Sequence, residues 1–181
     1  MNEKEIIKKG KHLAFLLRHD KEGFEKGLID KNGWRKVEEL IKSHQYTKEL
    51  LKEIVETNDK RRYEFNKDES KIRARQGHSI NVDVELKEEM PPDILYHGTS
   101  TKYLTSIYKQ GIIKGNRLYV HLSSDTTIAN NVGKRHGGKT VILKVDSKKM
   151  YEDGKKFFKS NNNVWLTDIV EPNYIIEEIY E

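Results

Sequence analysis

Apolar residues in the first part of the chain recur every three or four positions. Over residues 3–18, Ile6, Ile7, Leu13, Leu16 and Leu17 fall at that spacing, which predicts a helix, with Gly10 weakening its middle. Asn32-Gly33 marks a turn, and Trp34 then opens a second amphipathic helix through Val37, Leu40 and Ile41. Thr47 is the expected N-cap of a third helix, with Glu49 in its first turn. Leu50, Leu51, Ile54 and Val55 form its buried stripe, and Asn58-Asp59 ends it. The period then falls to two. Residues 61–65 and 71–76 alternate on either side of Asn66-Lys67-Asp68-Glu69-Ser70, which predicts a β-hairpin. Three helices followed by a hairpin is the element order of a winged helix.

Residues 85–92 are acidic and hold Pro91-Pro92, two of the three prolines, so they read as a linker between a first lobe, residues 1–84, and a second, residues 93–181. Beyond it, short strands and helices alternate. Strands are expected at residues 93–97, 117–122, 139–145, 157–158, 164–166 and 174–179, and helices at 101–110, stopped by Gly111, and at 126–133. The whole is an α+β protein of two lobes without repeats.

Composition narrows this further. The chain has 181 residues, 35% hydrophobic and 35% charged, so each lobe of about 80–90 residues lies near the lower size for an independent core. A net charge of +5 favours polyanionic partners. The absence of cysteine excludes disulfides, thiolate nucleophiles and Cys-ligated zinc. No apolar run has membrane length, and the chain reads as a cytoplasmic protein with no membrane partner. Rossmann, Walker, nucleophile-elbow and His-Glu-x-x-His patterns are missing too, and no metal site is expected.

What remains is a set of Arg and His residues beside apolar runs, where charge is usually avoided. Arg18-His19 closes the first helix. There it is either a favourable cation pair at the dipole's negative end or a phosphate grip, since Arg forks bind phosphate oxygens. Arg62 is an ordinary strand-edge arginine taken alone. Arg117 enters a strand on which it shares a face with Tyr119 and His121, either a solvent face or a polar site. His97-Gly98-Thr99 lies where a strand gives way to a helix. Gly98 there lets a ligand approach the backbone, or the segment is a routine capped turn. Gln76-Gly77-His78-Ser79 is a compact polar turn, and Lys134-Arg135-His136 is a phosphate grip or a solvated loop.

Their order resembles a family. Leu16-Leu17-Arg18-His19, Gly33-Trp34, Asp59-Lys60-Arg61-Arg62-Tyr63, Ile72-Arg73-Ala74-Arg75-Gln76-Gly77-His78-Ser79, Leu95-Tyr96-His97-Gly98-Thr99, Asn116-Arg117, Val120-His121-Leu122-Ser123 and Val164-Trp165-Leu166-Thr167-Asp168 are similar, in collinear order, to the NAD-dependent RNA 2′-phosphotransferases. In eukaryotes that family finishes tRNA splicing. The resemblance implies an N-terminal winged-helix lobe followed by a C-terminal lobe of the ADP-ribosyltransferase fold. It also implies NAD+ as consumed co-substrate, no metal, and RNA carrying a 2′-phosphate as partner. The protein is expected to act as a monomer without a protein partner.

The resemblance further implies the catalytic residues Arg18, His19, Arg62 and Arg117, with Arg73 the substitute for Arg62. It lines the NAD cleft with His97, Gly98, Thr99, His121, Leu122 and Ser123. RNA or phosphate contacts are expected from Arg73, Gln76, His78, Ser79 and Arg135. This chain departs from the family pattern at Asp20, where a second His is common, at Arg35, where an aliphatic residue is usual, and at Arg75. Two other readings compete. One is ADP-ribosylation of terminal nucleic-acid phosphates at the same site. The other is a non-catalytic winged-helix binder, which the near-balanced charges Lys48, Glu49, Lys52, Glu53 and Glu56 disfavour.

Overall fold

A computed structural model describes residues 2–58, 60–160 and 162–181. The expected stop at Asp59 lies outside them, as does that residue of the hairpin motif. The chain divides into two compact units, Met1–Glu85 and Leu86–Glu181. Both are mixed α and β with small antiparallel sheets, as an α+β chain requires.

The first unit begins with helix α1, Glu3–Arg18, whose Asn2 caps the N-terminus through a reciprocal pair of bonds with Glu5. Leu13, Leu16 and Leu17 are buried, whereas Ile7 is exposed. A short helix α2, Lys21–Glu25, follows with Asp20 as its cap, and the apolar pattern gives no sign of it. Trp34 does not open a helix. The chain first forms strand β1, Arg35–Lys36, which pairs with β3, and only then helix α3, Val37–His44, on which Ile41 stays exposed. Helix α4, Lys48–Thr57, is capped by Thr47 through Leu50 N–H and buries Leu50, Leu51 and Ile54. Strands β2, Tyr63–Phe65, and β3, Lys71–Ala74, make the hairpin, completing a sheet of order β1-β3-β2. One apolar core joins these elements, from Leu13 through Leu40 and Leu51 to Ile72.

In the second unit, residues Glu88 and Glu89 pair with the backbone around Phe157 and Phe158, and Pro92 C=O accepts from Ser147. Strand β4, Ile94–Ser100, runs three residues past the expected end. A 3₁₀ turn, Thr101–Tyr103, leads into helix α5, Leu104–Gln110, which Gly111 terminates, and strand β5, Ile112–Ile113. Strand β6, Val120–Leu122, is shorter than expected, and helix α6, Thr126–Lys134, is capped by Asp125. Strand β7, Thr140–Asp146, precedes helix α7, Ser147–Glu152, and strands β8, Phe158–Lys159, β9, Trp165–Thr167, β10, Ile169–Val170, and β11, Ile175–Ile179. They form sheets ordered β11-β7-β4, β6-β9-β8 and β10-β5. A core of Leu95, Val141, Leu143, Val145, Trp165 and neighbours fills the unit.

Helix α6 lies against β4 and β7 at very short range. A Cβ on Gly98 would stand 1.6 Å from Ala129 O, and one on Gly133 would be 3.0 Å from Thr99 N. Two glycines, one on each element, thus let helix and strand touch backbone to backbone.

Candidate functional site

In the first unit the end of α1 is tied to the loop after the hairpin. Arg18 occupies the last turn and His19 is the C-cap. The carbonyl of Arg18 accepts from Ser79 N–H at 2.9 Å, satisfying one of the acceptors a helix leaves open at its end. His19 Nδ1 lies 2.9 Å from Ser79 Oγ, which fixes that edge of the imidazole. The Arg18 guanidinium sits over the buried Tyr63 ring, 5.8 Å from its centroid, and the Tyr63 hydroxyl donates to Gly10 O. Arg62, next to Tyr63, is fixed through its backbone, its N–H donating to Asn58 Oδ1 and its C=O accepting from Arg75 N–H. Burial raises the Tyr63 phenol pKa, and the charges of Arg18 and Arg62 partly offset it. Arg18, His19 and Arg62 are therefore gathered by this unit alone.

Arg73 occupies a different position. It donates to Glu64 at 2.7 Å, to Glu85 at 3.1 Å and to Asn32 O at 3.2 Å, and its head lies 4.3 Å from the Trp34 ring centroid. Its donors are engaged in holding the hairpin. Arg62 makes no ion pair among the described residues, so geometry favours Arg62 over Arg73 beside Arg18. Arg75 also leans on Glu64, at 3.4 Å. Gln76 and His78 are interior. His78 is 1% exposed, and burial, then Arg18, His19 and Arg73, push its pKa down to about 3. It is neutral at ordinary pH, and its Nε2 and Gln76 Oε1 are buried without a hydrogen-bond partner among the described residues.

The second unit arranges its candidate residues along a sheet edge. His97-Gly98-Thr99 lies inside β4 and not at its end, so no helix begins at the segment. Tyr96 exchanges both backbone bonds with Ser123, at 2.7 and 2.8 Å. Alternation along a strand then directs the N–H and C=O of Gly98 to the same edge, one step beyond that bridge. The Cα face of Gly98 is taken by α6, so its lack of a side chain serves packing first. His97 Nδ1 lies 3.1 Å from His121 O and must donate to it, which leaves Nε2 as an acceptor on the neutral ring. Burial pushes the His97 pKa down, the His121 bond opposes this, and His136 adds to the fall. Thr99 and Leu122 are buried, and Ser123 Oγ is bonded to the Asp125 backbone at the start of α6.

Arg117 precedes β6 in the turn Lys114–Arg117, its N–H donating to Lys114 O, so it shares no strand face with Tyr119 and His121. Tyr119 packs on Phe158, 5.5 Å between ring centroids. Desolvation and then the nearby Arg135 charge lower the Arg117 pKa, a direction that still leaves a guanidinium protonated.

Arg35 and Asp20, two of the three departures from the family pattern, turn out to be bonded to each other, at 2.7 Å. Arg35 is 1% exposed. Burial disfavours its charge, but Glu39 and Asp20 outweigh that and raise its pKa. Burial would likewise raise Asp20, yet Gly23 N–H and Arg35 hold it below the usual carboxylate range. Only the unusual residue types, at positions 15 apart, could have signalled this pair.

A family model described as "RNA 2'-phosphotransferase, Tpt1 / KptA family" matches residues 4–169. Curated proteins called "Probable RNA 2'-phosphotransferase" are similar over nearly their whole length. The chain is 48% identical to that of Fusobacterium nucleatum over 174 residues, covering 93% of this chain and 97% of the relative. Against that of Flavobacterium johnsoniae it is 49% identical over 181 residues, covering 97% and 98%. Against that of Escherichia coli it is 42% identical over 181 residues, covering 96% and 97%. No helix among the described residues is long and apolar enough to cross a membrane.

Proposed function

The chain belongs to the RNA 2′-phosphotransferase family, and from that premise we propose that it removes an internal 2′-phosphate from RNA by transfer to NAD+. The first unit would serve as a winged-helix RNA-binding lobe and the second as an ADP-ribosyltransferase-like lobe. The observation that carries the reading is Arg18 over the Tyr63 ring, with the Arg62 charge acting on the same phenol and His19 held by Ser79 at the end of α1.

The proposed reaction has two steps. An oxygen of the RNA 2′-phosphate attacks the ribose carbon that bears nicotinamide, and the carbon–nitrogen bond breaks, its electron pair leaving with neutral nicotinamide. The adjacent ribose hydroxyl then attacks phosphorus, and the bond to the RNA 2′-oxygen breaks. The products are 2′-hydroxyl RNA and ADP-ribose 1″,2″-cyclic phosphate. The phosphate is already anionic near neutral pH, so the first step needs orientation more than a base. Negative charge gathers on the phosphoryl oxygens in the second, where Arg18, Arg62 and Arg117 contribute most by stabilising it. His19 supplies an imidazole that can give a proton to the leaving 2′-oxygen.

The residues of the second unit fit the dinucleotide. Gly98 presents a donor and an acceptor side by side on an edge, the complement of a carboxamide. His97 Nε2 is an acceptor suited to a ribose hydroxyl. Arg117 and Arg135 offer cations where phosphate is expected. The test is incubation with a 2′-phosphorylated oligoribonucleotide, with and without NAD+, following nicotinamide and the cyclic phosphate. NAD-dependent appearance of both supports the reading; phosphate loss without nicotinamide release defeats it.

A further inference from the structure

All five N–H donors of Arg35 have acceptors. Nε and one Nη2 proton meet the Glu39 carboxylate at 2.6 and 3.1 Å, and the second Nη2 proton meets His44 Nε2 at 3.2 Å. Nη1 donates to Asp20 Oδ2 at 2.7 Å and to the carbonyl of Leu16 at 3.0 Å. Leu16 lies in the last turn of α1, where carbonyls lose their intrahelical donors. Asp20 follows His19 directly and accepts from Gly23 N–H at 2.9 Å to start α2. A Cβ on Gly23 would stand 2.3 Å from Asp20 Oδ2, so a glycine lets this carboxylate serve both contacts. One buried guanidinium thus grips the chain at residues 16 and 20, on either side of Arg18-His19, and anchors it to α3.

A buried ion pair adds little stability over well-packed apolar side chains. What an aliphatic residue at position 35 could not supply is direction: a bond to a chosen carbonyl and a chosen carboxylate. We propose that Arg35, together with Asp20, is a positioning element for the proposed reaction, holding residues 16–20 so that Arg18 and His19 are presented in one geometry. This rests on the catalytic role given above to Arg18 and His19. Ser79 grips the same segment independently, through Arg18 O and the His19 ring.

The test uses the full chain and three variants: Arg35→Met, Arg35→Lys and Arg35→Met with Asp20→Asn. For each, kcat and the KM for NAD+ are measured beside the melting temperature and the NMR signal of the His19 ring. Arg35→Met should lower both the melting temperature and kcat, the latter about tenfold to a hundredfold, with KM for NAD+ within about twofold. Adding Asp20→Asn keeps a capping oxygen and removes one of the two stranded charges, Glu39 keeping the other, so the melting temperature should recover in part while kcat stays low. Arg35→Lys, a single point charge without the fork, should fall between. The His19 ring signal should shift or broaden in both Met-containing variants. Wild-type kcat in the double variant, or kcat that merely tracks melting temperature across the set, would overturn the proposal. Should the wild type release no nicotinamide, the functional reading itself fails. The ring signal then decides positioning alone: altered in the double variant it stands, unchanged it falls.

Discussion

The two units treat charge in opposite ways. In the first, guanidiniums stand beside aromatic faces and act on a neutral buried imidazole, with Arg18 over Tyr63, Arg73 over Trp34, and His78 within reach of the Arg18 and Arg73 charges. In the second, most of the candidate groups are uncharged: a strand edge at Gly98, the neutral ring of His97 and a serine bonded to a helix start. The contrast follows the chemistry each would face. A phosphate monoester is met by fixed cations, whereas an amide and sugar hydroxyls are met by dipoles that need placement and no charge. It also separates how each part resists change, because cations can be removed singly but a backbone contact cannot.

The largest effect therefore belongs to the backbone contact. Gly98→Ala drives a methyl group into Ala129 O and should destabilise the second unit by more than about 4 kcal/mol, in the range of severe core disruptions. Gly137→Ala, whose Cβ would meet nothing within 4 Å, should cost about 1 kcal/mol through its φ of +69°. Chemical denaturation of both variants checks this; a Gly98→Ala protein of native stability that only loses NAD+ affinity would mean that ligand approach, not helix packing, requires the glycine. Next come three arginines, Arg62 and Arg117 set against Arg73. Arg62→Ala and Arg117→Ala should each slow the second step about 10²- to 10³-fold and let ADP-ribosylated RNA accumulate. Arg73→Ala should leave turnover within a few-fold while costing about 1–3 kcal/mol of stability, because its bonds run to Glu64, Glu85 and Asn32. Gel analysis of radiolabelled RNA intermediates alongside melts distinguishes the two groups, and an equal block in Arg73→Ala would erase the distinction drawn here.

Helix α1 and helix α4 were legible because their signals are local: apolar residues at helical spacing in both, and Thr47 before Leu50. The segment 34–36 was not. Trp34 stands at the head of an apolar stripe that reads as a helix, but pairing of Arg35 with Ile72 draws it into a strand. That pairing is a contact across 37 residues, to which local spacing is blind. The same limit applied to Arg117, whose alternating neighbours suggest a strand, whereas the turn closed by Lys114 O keeps it outside β6. Among candidate site residues, the family pattern named Arg18, His19 and Arg62, and all three lie in the first unit, at the end of α1 and beside Tyr63 in sequence. Whether Arg73 could replace Arg62 was not readable there, since only the position of Glu64 and Glu85 shows where its donors go.

A smaller effect tests the uncharged side of the comparison. His97→Phe keeps a ring but loses the Nε2 acceptor, so KM for NAD+ should rise about tenfold, the worth of one hydrogen bond, with nicotinamide release otherwise intact. Burial holds His97 neutral, so KM for NAD+ should show no step near pH 6.5, where an ordinary imidazole titrates. A step there that disappears in His97→Phe would show the ring to be charged in use.

The last effect vanishes at neutral pH and concerns stability alone. In the unfolded chain His78 takes up a proton near pH 6.5, whereas in the folded protein burial and the Arg18, His19 and Arg73 charges delay this to about 3. The unfolded state thus binds more protons through that interval, so the stability contributed by neutral His78 is complete above pH 6.5 and declines as pH falls toward 3. One proton corresponds to about 1.4 kcal/mol per pH unit, or roughly 2 kcal/mol between pH 6.5 and 5. His78→Gln, neutral at every pH, should flatten that slope. Urea unfolding midpoints of both proteins at pH 7 and pH 5 read it, with the carboxylates common to the two. Identical slopes would mean that His78 is protonated in place, adding a charge within reach of Arg18 and His19 where the fold now keeps a neutral ring.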